Sequence, residues 1–328
     1  MVTEIVRMFT NPRYQICWSV MDLFTIDQHI TLANYFFQMK ASTKICLLVA
    51  LLLATASTSS YAQDLSKVLT LKSEKIGDAT LEVVYRYTIY DPVLEKSQEG
   101  HDIVQVGAKI DLYYDYGHYQ EQHQLSKQDW KVTQLEWNQM YDEYGIQSRV
   151  YWLIIDKEQE VLTEKDSRAG TSCYYEEKIP RIDWRLIPTE TKEILGHKCT
   201  KAIADFRGRE WQVWFASDVD RSGGPWKLRG LPGFILAAET GDGEYKYEAV
   251  TIRTSKGIPM YVGKLSKNTF KTNRQQFNIQ MARGAWQFSE TIVARGLPMP
   301  SSESSRARLF YNPRELDWID EYNKQFKK

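Results

Sequence analysis

The chain has 328 residues, with 42 lysines and arginines balanced by 42 aspartates and glutamates. A net charge of zero provides no attraction to nucleic acid or to an anionic membrane, so we expect neither as a partner. Aromatic residues make up 13% of the chain, including 20 tyrosines and 10 tryptophans. These residues favour half-buried strands, in which the rings pack and their polar ends reach water.

The first 62 residues differ in character from the rest of the chain. A basic segment precedes an apolar run over residues 45–54, and Ser60-Tyr61-Ala62 fits the small-x-small rule for signal-peptide cleavage. The run is shorter than the roughly 20 residues of a membrane span. We predict a signal peptide at 39–62, preceded at 1–38 by an extension from a gene start assigned too far upstream. The mature chain would then be exported, without a membrane span, to the periplasm or cell envelope. The alternative is a short interior anchor helix.

Two cysteines, Cys173 and Cys199, lie in the predicted mature chain. In an oxidising compartment they can form one disulfide that closes a loop of about 25 residues. The alternative is two separate buried thiols, because spacing in sequence does not place the two Cα atoms within bonding reach.

The predicted elements of the mature chain begin with strands. Residues 81–89 alternate with a period of two, which is typical of a strand with one face in water. A second strand is predicted at 103–110, followed by a flexible aromatic segment at 113–117. Residues 121–144 form the one long stretch with helical character, so we predict a helix there.

After Gly145 short strands return, and Thr240-Gly241-Asp242-Gly243 is a hairpin signal between two of them. Asn312 and Pro313 suit the first positions of a helix, so a closing helix is predicted at 311–326. The strands are predicted at 150–155, 172–178, 197–206, 211–216, 234–238 and 245–252, with weaker segments at 261–265 and 286–293.

Many short strands with few helices predict a mainly β (α+β) fold. We expect a curved antiparallel sheet or half-open barrel with one or two helices. The predicted β-rich domain covers 63–300, and a Ser-rich linker and C-terminal helix occupy 301–328.

Residues 224–236 combine two bends with a buried strand. Pro232 and Gly233 suit positions i+1 and i+2 of a type II turn, in which the glycine has a positive φ. Bulky side chains beside the turn can close over the strand as a rigid corner, or they can line a ligand site. The predicted turn residues are Gly224, Pro225, Gly230, Pro232 and Gly233. The candidate ligand-binding residues are Trp226, Leu228, Leu231 and Phe234.

Four segments of the chain carry a family resemblance, at 194–199, 206–211, 224–228 and 230–235, and a fifth lies near the end at 311–316. Together they resemble the GLPGLI family, a group of exported bacterial envelope proteins, over roughly residues 80–252. Phe234 stands where the family name has leucine, and Val219-Asp220 where members often carry Ile-Pro. The resemblance implies an exported β-rich fold and supplies no catalytic residue.

No common catalytic motif is present in the sequence. It lacks a Gly-x-Ser-x-Gly elbow, a His-Glu-x-x-His motif, a phosphate loop and Gly-x-Gly-x-x-Gly. His118, Glu121 and His123 could supply metal ligands, but five residues between the histidines do not place both on one helical face. Asp115 is a candidate acid–base group whose alternative is a solvated loop carboxylate. We therefore predict no catalytic residue, metal or cofactor.

The favoured function is a non-enzymatic envelope protein. It would bind an apolar small molecule or a protein partner through the bulky corner residues, since aromatic side chains line pockets of this kind. The alternative is a periplasmic metal-binding protein or hydrolase. That protein would use His197 and Cys199, which share one face of a strand, or the carboxylates of Asp218 and Asp220.

Overall fold

The structure is a computed structural model that describes residues 65–145, 151–294, 296 and 309–326. These residues belong to one compact unit, Leu65–Lys328. The predicted signal peptide, the upstream extension and the Ser-rich stretch of the linker lie outside the described residues. In these ranges no helix is both long and apolar enough to cross a bilayer.

Fourteen strands and five helices form the described part of the chain. The strands are β1 Val68–Thr70, β2 Ser73–Asp91, β3 Lys96–Gly107, β4 Ile110–Asp115, β5 Lys131–Thr133, β6 Trp152–Asp156, β7 Val161–Arg168, β8 Thr171–Lys178, β9 Arg185–Ile194, β10 His197–Phe206, β11 Arg209–Ala216, β12 Phe234–Thr240, β13 Tyr245–Gly263 and β14 Phe270–Lys271. The helices are α1 Tyr116–Ser126, α2 Gln134–Tyr144, α3 Arg274–Trp286, α4 Phe288–Ala294 and α5 Ile319–Phe326.

Twelve of the described strands form one sheet, in the order β14-β8-β7-β6-β4-β3-β2-β13-β12-β11-β10-β9. Neighbours pair antiparallel except for the short β14, which runs parallel to β8. The mainly β prediction is confirmed, and the sheet does not close into a barrel. The structure has five described helices where the sequence predicted one or two.

Strand β2 is longer than predicted and is covered on both faces around residues 81–85. Tyr85 and Val83 lie in the main core, as the alternation predicts. Glu82 and Val84 on the other face are buried too, because α1 packs there and brings Tyr119 against Val84. The expected water-facing side is therefore a second, smaller core at Glu82 and Val84, whereas Arg86 and Tyr90 further along that face are exposed as predicted.

The helix predicted over 121–144 is two helices, α1 and α2, with strand β5 between them. Helix α1 begins early because the Asp115 side chain caps it by accepting a hydrogen bond from the His118 backbone N–H (2.9 Å). Helix α2 starts again at a capping box formed by Thr133 and Glu136. The prediction missed these two start signals within one continuous amphipathic stretch.

Three further sequence predictions differ from the structure. Residues 113–117, expected to be flexible, contain the end of β4 and the start of α1. The weak segment at 286–293 is mostly helix α4 rather than strand. The closing helix starts at Ile319, because the Asn312 side chain donates to the Tyr90 carbonyl (2.7 Å) instead of capping a helix.

The corner at 224–236 is built from a different turn from the one expected. Gly233 has the predicted positive φ, at +146°. Its backbone N–H donates to the Leu231 carbonyl (2.9 Å), so a three-residue turn surrounds Pro232 where a type II turn was expected. A second bend upstream is closed by the Leu228 N–H and the Pro225 carbonyl (3.1 Å).

Candidate binding site

A cavity with a volume of about 700 Å³ lies among the described residues. Its walls come from the sheet, from helix α3, from the turn between β7 and β8, and from the segment 309–315. Its aromatic lining includes Tyr87, Tyr151, Trp152, Tyr245 and Tyr311. Its charged lining consists of Asp102, Asp115, Glu164, Asp166 and Glu315 with Lys165, Arg168, Lys264 and Arg314.

The segment 309–317, which precedes α5, is attached to the sheet by side-chain hydrogen bonds. Arg209 is buried and donates through Nη2 to Asn312 Oδ1 (2.8 Å) and to the Pro313 carbonyl (2.9 Å). The Tyr245 hydroxyl donates to the Asn312 carbonyl. These contacts place Arg314 and Glu315 in the cavity wall.

Beside the cavity lies Lys227, whose side chain is 0% exposed. Its ammonium nitrogen lies 2.5 Å from Glu315 Oε1 and 2.7 Å from Glu164 Oε2. It also hydrogen-bonds the Tyr175 hydroxyl, and Glu177 Oε1 is 3.6 Å away. A buried ammonium is tolerated only when carboxylates and hydrogen bonds replace its lost water, and this cluster provides both.

The same cluster fixes the ionisation of Glu315. Its Oε2 accepts hydrogen bonds from Arg274 Nη1 (2.5 Å) and Asn278 Nδ2 (3.0 Å). Burial opposes the charge, but Lys227 and Arg274 outweigh it and lower the pKa of Glu315 from 4.5 to about 2. Burial likewise opposes the charge on Lys227, but Glu164 and Glu315 raise the pKa of its ammonium. A general acid must carry a proton near the working pH, so Glu315 anchors the wall and is not a proton donor.

We expect acid to destabilise the protein through Glu315. Because the pKa of Glu315 is lower in the folded protein than its ordinary value of 4.5, the charged carboxylate stabilises the fold at pH values above 4.5. This stabilisation is lost as the pH falls towards about 2. Urea unfolding of the wild type and of Glu315→Gln across this window measures the effect. The variant should be less stable at neutral pH and should show a flatter pH dependence, whereas parallel profiles would contradict the assignment.

The four candidate ligand-binding residues of the corner are all buried, at 0–3% exposure. Leu228, Leu231 and Phe234 pack in the main core, and Trp226 packs there against Phe206 and Trp211. Of the four, Trp226 also lines the large cavity. The structure thus brings one member of the predicted apolar site to the cavity.

His197 and Asp218, named in the metal and hydrolase alternative, do form a pair. His197 Nδ1 lies 2.8 Å from Asp218 Oδ2, and the Asp218 side chain is 59% exposed. Asp220 is fully exposed beside Arg221 rather than part of this pair. Within the described ranges, no group of three or more His, Cys, Asp or Glu residues could hold a metal ion.

Cys173 and Cys199 are both buried and free, so the disulfide that the spacing allowed is not formed in this structure. The two residues lie on strands β8 and β10, near opposite ends of the strand order. Burial raises the pKa of the Cys173 thiol to about 12 and that of Cys199 to about 11. Both side chains are enclosed in the main core.

The histidines of α1 point in different directions, as the five-residue spacing predicted. His118 Nδ1 pairs with Glu121 Oε2 (2.9 Å), and Glu121 Oε1 accepts from the Trp137 ring nitrogen (2.6 Å). His123 instead contacts the Tyr119 carbonyl (3.0 Å), and burial lowers the pKa of its ring. Asp115 caps α1 and also lines the cavity.

Comparison with known proteins adds a partial match. Residues 160–277 match the profile of a family described as N-glycanase peptide, N-terminal domain. That stretch resembles an N-glycanase N-terminal domain. It contains Glu164, Lys227 and Arg274 of the buried cluster and ends before the segment 309–317.

Two solved structures of PNGF-II, in the P21 and C2 space groups, are also similar to the chain. Their TM-scores are 0.41 and 0.40, with 13% and 14% sequence identity. Each alignment covers 63% of this chain and 34% or 33% of the solved chain, so this chain spans about a third of their length. No curated protein matches the chain. The GLPGLI resemblance is not confirmed by these findings.

Sequence reasoning named Asp115 but missed the other charged residues of the site. Lys227 carried a usable signal, because a lysine stands between Trp226 and Leu228 in an apolar corner. A charge in such a stretch needs a buried partner. Nothing local points to Glu164 or Glu315, since the latter is 88 residues from Lys227 along the chain.

Proposed function

We propose that this protein is an exported, non-enzymatic binding protein whose cavity takes a saccharide of the N-glycan class. The observation that carries the proposal is the lining of the cavity, which combines aromatic rings with charged and hydroxyl groups. A sugar ring presents hydroxyls at its edge and C–H groups on its faces. Pockets for small molecules pair apolar and aromatic surface with a few placed polar groups, which suits such a ligand.

Two further observations support a ligand of the N-glycan class. The cluster around Lys227 holds the Glu164 and Glu315 side chains in fixed positions, and a preformed wall lowers the entropic cost of binding. The matching family is named for N-glycanases, and the match covers their N-terminal domain. We take the ligand class from that name, and a glycopeptide would present it.

The proposed saccharide ligand replaces the apolar ligand expected from the sequence. All four corner residues are enclosed in the core, and Trp226 is the one of the four that also lines the cavity. Within the part of the chain that the structure describes, the support for the metal and hydrolase alternative is the pair of His197 and Asp218. Export stays a prediction, because it depends on residues 1–64.

Calorimetric titration of the protein with an N-glycosylated peptide tests the proposal. The glycopeptide should bind, and the same peptide without its glycan should not. Equal affinity for the two peptides, or no binding of either, would contradict a glycan-binding cavity.

A matched pair of variants on strand β2 locates the binding. Tyr87 lines the cavity, whereas Tyr90 on the same strand is 38% exposed and is not part of the lining. Tyr87→Phe removes one hydroxyl and should weaken glycopeptide binding by about 0.5–1.5 kcal/mol. Tyr90→Phe should leave the affinity unchanged, and equal effects of both variants would place the ligand elsewhere.

A further inference from the structure

Arg314 lies in the cavity wall with its guanidinium held in one orientation. Its side chain is 13% exposed, and Nε donates to the Tyr247 hydroxyl at 2.8 Å. Nη2 donates to the Tyr113 hydroxyl at 3.3 Å. The guanidinium carbon lies 5.2 Å from the centre of the Tyr151 ring and 5.7 Å from that of Tyr113. The guanidinium group cannot rotate without breaking these contacts.

The third guanidinium nitrogen of Arg314, Nη1, is available for a ligand. Nη1 of Arg314 makes no hydrogen bond with the described residues, while the other two nitrogens are engaged by tyrosine hydroxyls. A guanidinium that is fixed in this way recognises a carboxylate by charge-assisted hydrogen bonding. The residue belongs to the cavity lining, so a bound ligand can reach it.

The surrounding charges permit a carboxylate at this place. Asp102 is the one acidic group of the described residues within 4 Å of the guanidinium, with its Oδ2 3.7 Å from Nη2, and it accepts a hydrogen bond from the Tyr113 hydroxyl. Glu315 and Glu164 are neutralised by Lys227, and Glu315 also by Arg274. Among the described residues, the lining has five carboxylates and four cations, and Lys227 lies behind it.

We propose that Arg314 selects acidic saccharides by binding the carboxylate of a sugar acid. This inference rests on the proposed glycan binding and adds the charge of the ligand. The rings of Tyr151 and Tyr113 fix the guanidinium, and Nη1 is the atom that meets the carboxylate. A neutral glycan of the same size lacks that contact and binds more weakly.

The test compares two probes that differ in one group. A glycopeptide with a sialylated N-glycan is titrated beside the same glycopeptide after its terminal sialic acids have been removed. The sialylated probe should bind about tenfold more tightly at low salt, and the ratio should shrink as the salt concentration rises. Binding of both probes with equal affinity overturns the role of Arg314 and leaves the proposed function standing. Failure of both probes overturns both proposals.

Two variants of Arg314 separate charge from geometry. Arg314→Gln should bring the ratio of the two affinities close to one. Arg314→Lys keeps a positive charge without the planar fork, and its ratio should lie between those of the wild type and Arg314→Gln. Thermal unfolding establishes whether each variant is folded. If a variant does not fold, the comparison of the two probes on the wild-type protein decides the proposal. An unchanged ratio in folded Arg314→Gln would contradict it.

Discussion

Replacing Lys227 by methionine is expected to lower the free energy of unfolding by about 3–5 kcal/mol, because buried carboxylates lose their shared cation. The side chain of Lys227 is fully buried, and two carboxylate oxygens lie within 2.7 Å of its nitrogen. Methionine has a similar volume, so the loss comes from charge and not from a void. Urea unfolding at neutral pH measures the change.

Two controls show whether uncompensated charge causes this loss. Lys271→Met removes an ion pair to Glu176 on the surface, where both side chains are about half exposed, and should change stability little. Adding Glu164→Gln to Lys227→Met should recover part of the lost stability, because one of the stranded carboxylates becomes neutral. Equal losses for Lys227→Met and Lys271→Met would mean that the cluster does not stabilise the fold.

Replacing Gly233 by alanine is expected to cost about 2–5 kcal/mol through backbone strain and overlap. The φ of +146° is a conformation that residues with a side chain rarely adopt. A Cβ atom built there would lie 2.2 Å from the Ala216 carbonyl oxygen and 2.8 Å from the Ser217 Cα. Both are backbone atoms of the adjoining segment, so the strand or the corner has to move.

Gly243 is the matched control for this substitution. It also has a positive φ, at +74°, but a Cβ there meets no atom within 4 Å. Gly243→Ala should therefore cost only the strain of the conformation, about 1–2 kcal/mol. Thermal or urea unfolding of both variants separates strain from overlap. Equal losses would show that the corner relaxes around the extra methyl group.

Local signals in the sequence predicted the parts of the fold that depend on neighbouring residues. The strand at 197–206 and the hairpin at Thr240-Gly241-Asp242-Gly243 occur where alternation and turn residues placed them. The positive φ of Gly233 followed from its place after a proline. Each of these features is determined within a few residues, which is the range that such patterns cover.

Features that depend on distant contacts were not predictable in this way. Asn312 has the side chain of a helix cap, but its hydrogen bonds to Tyr90 and Arg209 outweigh that tendency. The cavity needs the segment 309–315 to meet strands that lie far away in sequence. The aromatic content of the chain indicated a binding surface without showing that charged groups would share it.

Hydrogen–deuterium exchange with and without a saturating N-glycopeptide tests the glycan-binding cavity most directly. We expect slower exchange at 164–172, which includes the turn between β7 and β8, and at 309–315, because both segments line the cavity. Residues around Trp214, which are not part of the lining, should exchange at an unchanged rate. Protection confined to the region of Trp214, or no protection at either cavity segment, would contradict the account.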